Sequence, residues 1–246
     1  MLYYKRKLLS YSHWDSTVGH LEILVILGQP LVILFLGPTR MYSCGTPPGN
    51  LFLLGHISVL LRHPGVILVI GHPGVILLVE HPGVILLLGH TWVILLLGHP
   101  RVILVLGYPG DIFLLGHPGV ILLRGHPWTI LLLGHLGVIL LMGLPGVILL
   151  LGHPGVILLL GHPGVILLLG HPWLIATGTA GHPRNMLLRG HHGVILLLGH
   201  PWLILLLGYP GNILFLGHPG VILLLGHPEV ISWDTLGLYH SWDTLD

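Results

Sequence analysis

The chain has 246 residues, of which 53% are hydrophobic and 7% charged, with a formal net charge of +1. Typical globular domains carry about 25% charged residues, and so neutral a balance gives no electrostatic argument for nucleic acid, acidic substrates or a membrane surface as partners. Gly (37) and Pro (20) are abundant, yet the hydrophobic content closes the low-hydropathy route to disorder, and a lone cysteine, Cys44, excludes an intrachain disulfide framework and a zinc-thiolate site.

Residues 1–18 read as a polar, basic leader that holds both lysines, Lys5 and Lys7. A basic start followed by an apolar stretch has the outline of a signal peptide. Here the apolar stretch, residues 21–37, begins late and contains Glu22 and Gln29-Pro30. No small-residue cleavage site follows cleanly, so a leader ahead of the repeats is the expectation.

Residues 19–231 form a nonapeptide repeat region. The unit Gly-His-Pro-Gly-Val-Ile-Leu-Leu-Leu occurs unchanged at residues 152–160, 161–169 and 217–225, and degraded copies fill most of the rest. A fixed period decides architecture before any local signal does. Its leading glycine can be followed from Gly19 to Gly226, with Glu80 in one glycine slot and phase slips near residues 38–62 and 171–181.

Val-Ile-Leu-Leu-Leu is a short apolar run with a β-branched start, bounded by Gly and Pro, which suits a strand buried on both faces. A proline in every unit opposes a helix, since each would cost about 3 kcal/mol in a helix interior. His-Pro-Gly-Val fits a type II turn, with positive φ at the glycine that follows proline. Such turns mismatch the twist of tight hairpins, which favours corners between strands that continue around a coil. The predicted fold class is therefore all-β, with repetitive short strands joined by Gly-His-Pro-Gly corners. The strands stack as a β-solenoid or, failing that, as an antiparallel meander. The alternative is a poorly ordered or proline-broken helical hydrophobic chain.

Hydropathy alone also suggests membrane spans, which need about 20 apolar residues as a helix or 9–11 as a strand. Every apolar run here is cut after five residues or so by Gly-His-Pro-Gly. Membrane contact is compatible with the composition, whereas spanning is disfavoured.

Histidine (21 copies) is the conspicuous chemical group, mostly at the second position of the unit. In a two-sided solenoid, His153 and His171 would lie one coil apart, about 4.8 Å. A metal ladder would still lack orienting partners, because carboxylates are almost absent. Phosphate loops of the Gly-Lys-Ser or Gly-Lys-Thr kind do not occur, and Gly178-Thr179-Ala180-Gly181 is too little to count as one. The acids Asp15, Glu22, Glu80, Asp111, Glu229, Asp234, Asp243 and Asp246 form no readable acid–base pair. No catalytic, cofactor-binding or metal-ligating residue is assigned, no cofactor is expected, and the chain is not read as an enzyme. Self-association is the expected interaction, with no nucleic acid and no small-molecule ligand.

Variation between units suggests a DNA origin. The glycine after proline becomes Trp128, Trp173, Trp202, Arg101, Arg184 or Glu229. A type II turn disfavours bulky residues there, whereas one base change converts a Gly codon to each of them. Written with the codons CTG GGA CAC CCT GGG, Leu-Gly-His-Pro-Gly reads Trp-Asp-Thr-Leu when shifted by one base. That is the content of residues 233–236 and 242–245, within a tail at residues 232–246. A shift by two bases reads Gly-Thr-Pro, as at Gly45-Thr46-Pro47. The leading functional expectation is a translated 27-base tandem repeat with no evolved biochemical function. The alternatives are a repetitive β-rich structural or self-assembling protein and a membrane-associated hydrophobic protein.

Overall fold

The Val-Ile-Leu-Leu-Leu runs form strands, and in most of them the strand extends one residue further, through the glycine that opens the next unit. The computed structural model describes residues 9–15, 20–27, 31–36, 39–42, 49–55, 57–62, 65–80, 82–178 and 183–234, with side chains at residues 50, 52–54, 65–79, 82–178 and 183–232. Lys5, Lys7, Cys44, Gly45-Thr46-Pro47, Thr179 to Gly181 and the tail beyond Asp234 lie outside the described residues.

The first strands are β1 (Leu9–Asp15), β2 (His20–Leu27), β3 (Leu31–Leu36), β4 (Thr39–Tyr42), β5 (Gly49–Gly55) and β6 (Ile57–Arg62). Twelve six-residue strands, β7 (Val66–Gly71) to β18 (Val165–Gly170), then start at nine-residue intervals. The series closes with β19 (Leu174–Thr177), β20 (Asn185–Leu198), β21 (Leu203–Leu216), β22 (Val221–Gly226) and β23 (Val230–Asp234). Among the described residues there is no helix.

From β3 to β18 each strand pairs in parallel with the strand two places on, so two units make one coil. In the regular region the offset is 18 residues, as in Val138↔Val156 and Gly143↔Gly161. Odd-numbered strands stack as one sheet and even-numbered strands as the other. β20 and β21 run unbroken through a corner, so each contributes to both sheets. The result is a two-sheet β-solenoid of about nine coils beyond β6. Among the described residues the helical alternative is excluded, and antiparallel pairing is confined to β1–β2 and β2–β3 at the N-terminal end.

The core follows from strand alternation. The second and fourth residues of each strand face inward, and the isoleucines from Ile67 to Ile213 at the second position are at most 1% exposed. Burying each such side chain contributes roughly 1.5–3 kcal/mol. The corner prolines also point inward and are buried from Pro73 to Pro210. Val and Leu at the first, third and fifth positions face outward and remain half-buried or exposed, as in Val147 at 41%.

The expectation for the corner is corrected by the backbone. Positive φ falls on the leading glycine of the units, from Gly71 to Gly226, at 118–153°. The glycine after proline does not have it. The cause is a contact between coils, which a turn template does not contain. Between Gly89 and Gly170 the amide that follows most leading glycines donates to the glycine carbonyl one coil below, as His162 N–H does to Gly143 O (3.1 Å). A Cβ on Gly161 would sit 1.8 Å from that same oxygen.

The fourth position accommodates side chains through a change of hydrogen bond. Where it is glycine, its amide donates to the third-position carbonyl of the coil below, as in Gly119 to Pro100 and Gly146 to Pro127. Where it is bulky, the amide donates to the fourth-position carbonyl instead, as in Trp92 to Gly74, Trp128 to Gly110 and Trp173 to Gly155. The indoles then project into solvent, 79–81% exposed. Bulky residues at this position therefore do not violate the stereochemistry of the corner.

The second phase slip is absorbed in one coil. Val165 pairs with Asn185 and Leu174 with Val194, an offset of 20 residues. β19 stops at Thr177, and the hydroxyl of Thr177 takes over the missing ladder positions. Thr177 Oγ1 accepts from Leu198 N–H (3.0 Å) and donates to Leu198 O (3.2 Å). Thr177→Val keeps the shape and removes both bonds. It is expected to cost about 1–3 kcal/mol through the unsatisfied backbone groups, read as lost amide protection at Leu198 while coils more than two away are unchanged.

Candidate functional site

The second position of every unit lies at a corner, so the two-sheet coil lines these residues up along two opposite edges. One edge carries an uninterrupted stack of His99, His117, His135, His153, His171 and His191, with ring centroids 4.7–4.9 Å apart. Tyr209 extends it at 5.1 Å, and His227 follows at 6.1 Å with a tilted ring. The spacing expected for His153 and His171 is met at 4.9 Å, with ring planes within 11°. The other edge stacks His72, His90, Tyr108 and His126 at 5.0–5.2 Å, and His200 with His218 at 5.3 Å. Leu144 interrupts it after His126.

Stacking places the rings face to face, with their nitrogens at separate heights. Two such nitrogens are too far apart to share one cation with nitrogen ligands about 2.0–2.1 Å from it. Among the described residues no group of three or more His, Cys, Asp or Glu side chains has the geometry to hold a metal. The ring nitrogens are partly engaged in the backbone ladder: His171 Nδ1 accepts from His191 N–H (3.2 Å), and His200 Nδ1 from His218 N–H (3.1 Å). These bonds fix the neutral tautomer with its proton on Nε2.

The pKa of His117 is held below the ordinary histidine value, first by desolvation at the corner and then by repulsion from His99 and His135. The corner residues beside His117 to His171 are Leu, Gly, Pro, Val and Trp173, none of them a carboxylate. Asp111 lies on the outer face of the even-numbered sheet and Glu229 at a C-terminal corner. The remaining acids have side chains outside the described residues, so no acid–base pair is brought together among those described.

One further residue escapes sequence reading. His192 takes the inward third-position slot that proline fills in most corners, and it is buried. As a single departure among repeats it looks like noise. Only its coil-to-coil register, with Pro210 stacked on it, shows where the ring points.

A shallow groove of about 430 Å³ runs over Gly107, Gly125 and Gly143, between Leu106, Arg124 and Met142 on one side and Tyr108 and His126 on the other. It is open to solvent along its length. Among the described residues no helix is long and apolar enough to cross a membrane. Searches against family models, curated proteins and solved structures match this chain to nothing, so the fold and the ring edges stand on the geometry alone.

Proposed function

We propose that the chain is the translation of a 27-base tandem repeat, and that its functional property is physical: self-association through two apolar outer faces, with no catalytic step and no small-molecule ligand. The observation that carries the assembly reading is the outward half of every strand. Val, Leu and Leu face solvent on both sheets, interrupted only sparsely, as by Asp111, Arg124 and Arg189. Stacked coils about 4.8 Å apart make each face roughly 40 Å long and one strand wide, an apolar patch larger than soluble monomers usually expose. The exact copies of the unit and the out-of-frame residues 233–236 support the repeat origin.

A second reading, a structural protein whose fold is maintained by selection, is favoured by one observation. Two glycines per unit start from the same residue type but vary differently. The positive-φ glycine is kept throughout the described coils except at Glu80, whereas the fourth position holds Trp, Arg or Glu in seven of its eighteen copies from Gly74 to Glu229. From Ile67 to Ile231 the second-position isoleucine is replaced once, by Met186, while the outward first position admits Asp111, Thr129, Asn185 and Asn212.

The nucleotide sequence tests both. Under the first reading, synonymous and non-synonymous differences among repeat copies accumulate at similar rates everywhere. An excess of synonymous change at the codons for the positive-φ glycines and inward isoleucines alone would favour the second reading and overturn the absence of selection.

A further inference from the structure

We infer that His192 is an acid-operated weak point, at which proton uptake opens the solenoid beside its two-residue insertion. The inference is independent of the assembly reading, because it concerns one coil and not the outer faces. His192 is 4% exposed, and neither Nδ1 nor Nε2 has a hydrogen-bond partner. An imidazole so placed is tolerated only while neutral, since a buried charge needs a partner.

The surroundings offer none. His191 precedes it, His171 lies one coil below, and Tyr209 one coil above. Arg189 sits on the same strand, β20. Asp111 and Glu229, the acids with described side chains, belong to other coils.

Burial first, then repulsion from His171 and His191, lowers the pKa of His192 from 6.5 to about 4. In the unfolded chain it keeps the ordinary value. Between the two values the unfolded state binds more protons than the folded one, so stability is present above the upper value and is lost as pH falls toward the lower. The difference corresponds to at most about 300-fold in the opening equilibrium. Opening is local because the adjoining β19 has only four residues, and in a solenoid each coil contacts only its neighbours.

The experiment is hydrogen exchange by mass spectrometry on the full chain, dispersed in a non-ionic detergent, at about pH 7.5 and about pH 4.5, each referenced to intrinsic exchange at that pH; the expected loss at the lower pH is on the order of 100-fold. The loss should appear in segments from β19 and β20, while segments from residues 138–161 keep their protection. His192→Leu should abolish it, since Leu136 fills the same slot elsewhere at 3% exposure. His153→Leu, which removes an exposed edge ring, should not. Loss spread evenly along the coils, equal loss in H192L, or equal rescue by H153L would each overturn the inference.

Discussion

Alanine in place of Gly152 or Gly161 is expected to destabilise its coil by roughly 2–6 kcal/mol, whereas tryptophan in place of Gly155 costs less. The first figure joins two terms. A non-glycine residue at φ of 132° or 137° carries backbone strain of roughly 1–3 kcal/mol. The added Cβ, 2.1 Å from Gly134 O at Gly152 and 1.8 Å from Gly143 O at Gly161, adds about 1–3 kcal/mol of overpacking. Relief of that contact would move the carbonyl that accepts the amide of His153 or His162. At Gly155 a Cβ would lie 2.7 Å from Gly137 O, so the corner must adjust. Its amide already bridges Leu136 O (2.8 Å) and Gly137 O (3.1 Å), midway between the two corner patterns, and Trp173 one coil above shows the adjusted form. Guanidinium unfolding in a non-ionic detergent, followed by far-ultraviolet circular dichroism, ranks the variants. Equal midpoints for G161A and G155W would remove the distinction between the two glycines.

The second large effect is on dispersion in water. The unaltered chain is expected to sediment from plain buffer, because β-rich segments without charge associate through dry faces and its edge strands have no lysine guards. Lysine at the outward residues Leu140, Leu149, Leu158 and Leu167 together should move most of the chain into the supernatant with its strand content intact. These side chains are only half-buried, and a lysine stem can lie along the face while its ammonium reaches water. The inward control, Ile148→Lys with Ile157→Lys, should lose strand content, since both positions are at most 1% exposed. A monodisperse monomer of the unaltered chain at micromolar concentration would contradict the reading of the surface.

Strand positions were legible because their signals are local. A short apolar run between Gly and Pro defines its own ends, and a proline in each unit removes the helical alternative. The spacing of His153 and His171 was legible as well, since period and coil geometry together fix it. The positive-φ glycine was not. A Pro-Gly pair invites a type II turn, but the carbonyl that decides the matter lies nineteen residues back, as between His162 and Gly143. The same separation concealed Thr177, whose partner Leu198 is 21 residues on, and His192, whose burial depends on Pro210 in the next coil. A corner that exchanges one acceptor carbonyl for another, as at Gly110 and Trp128, is likewise invisible to a template with one fixed turn. That exchange removes stereochemistry as an argument for drift, while the out-of-frame residues keep their force.

The in-register stacking of identical units has a consequence for how the chain finds its structure. Moving one strand by a full coil exchanges an Ile-on-Ile contact for another of equal quality, so the correct alignment and its neighbours differ little in energy. Folding of such a sequence searches among near-degenerate frames, and the perfect copies at residues 152–169 give no preference. Preference comes from the imperfect units. The 20-residue coil closed by Thr177 and Leu198 accepts one alignment, and Leu144 interrupts one ring edge. A chain with those departures restored to the consensus would gain regularity and lose its unique frame, so refolding should yield a mixture of shifted coils with unequal overhangs.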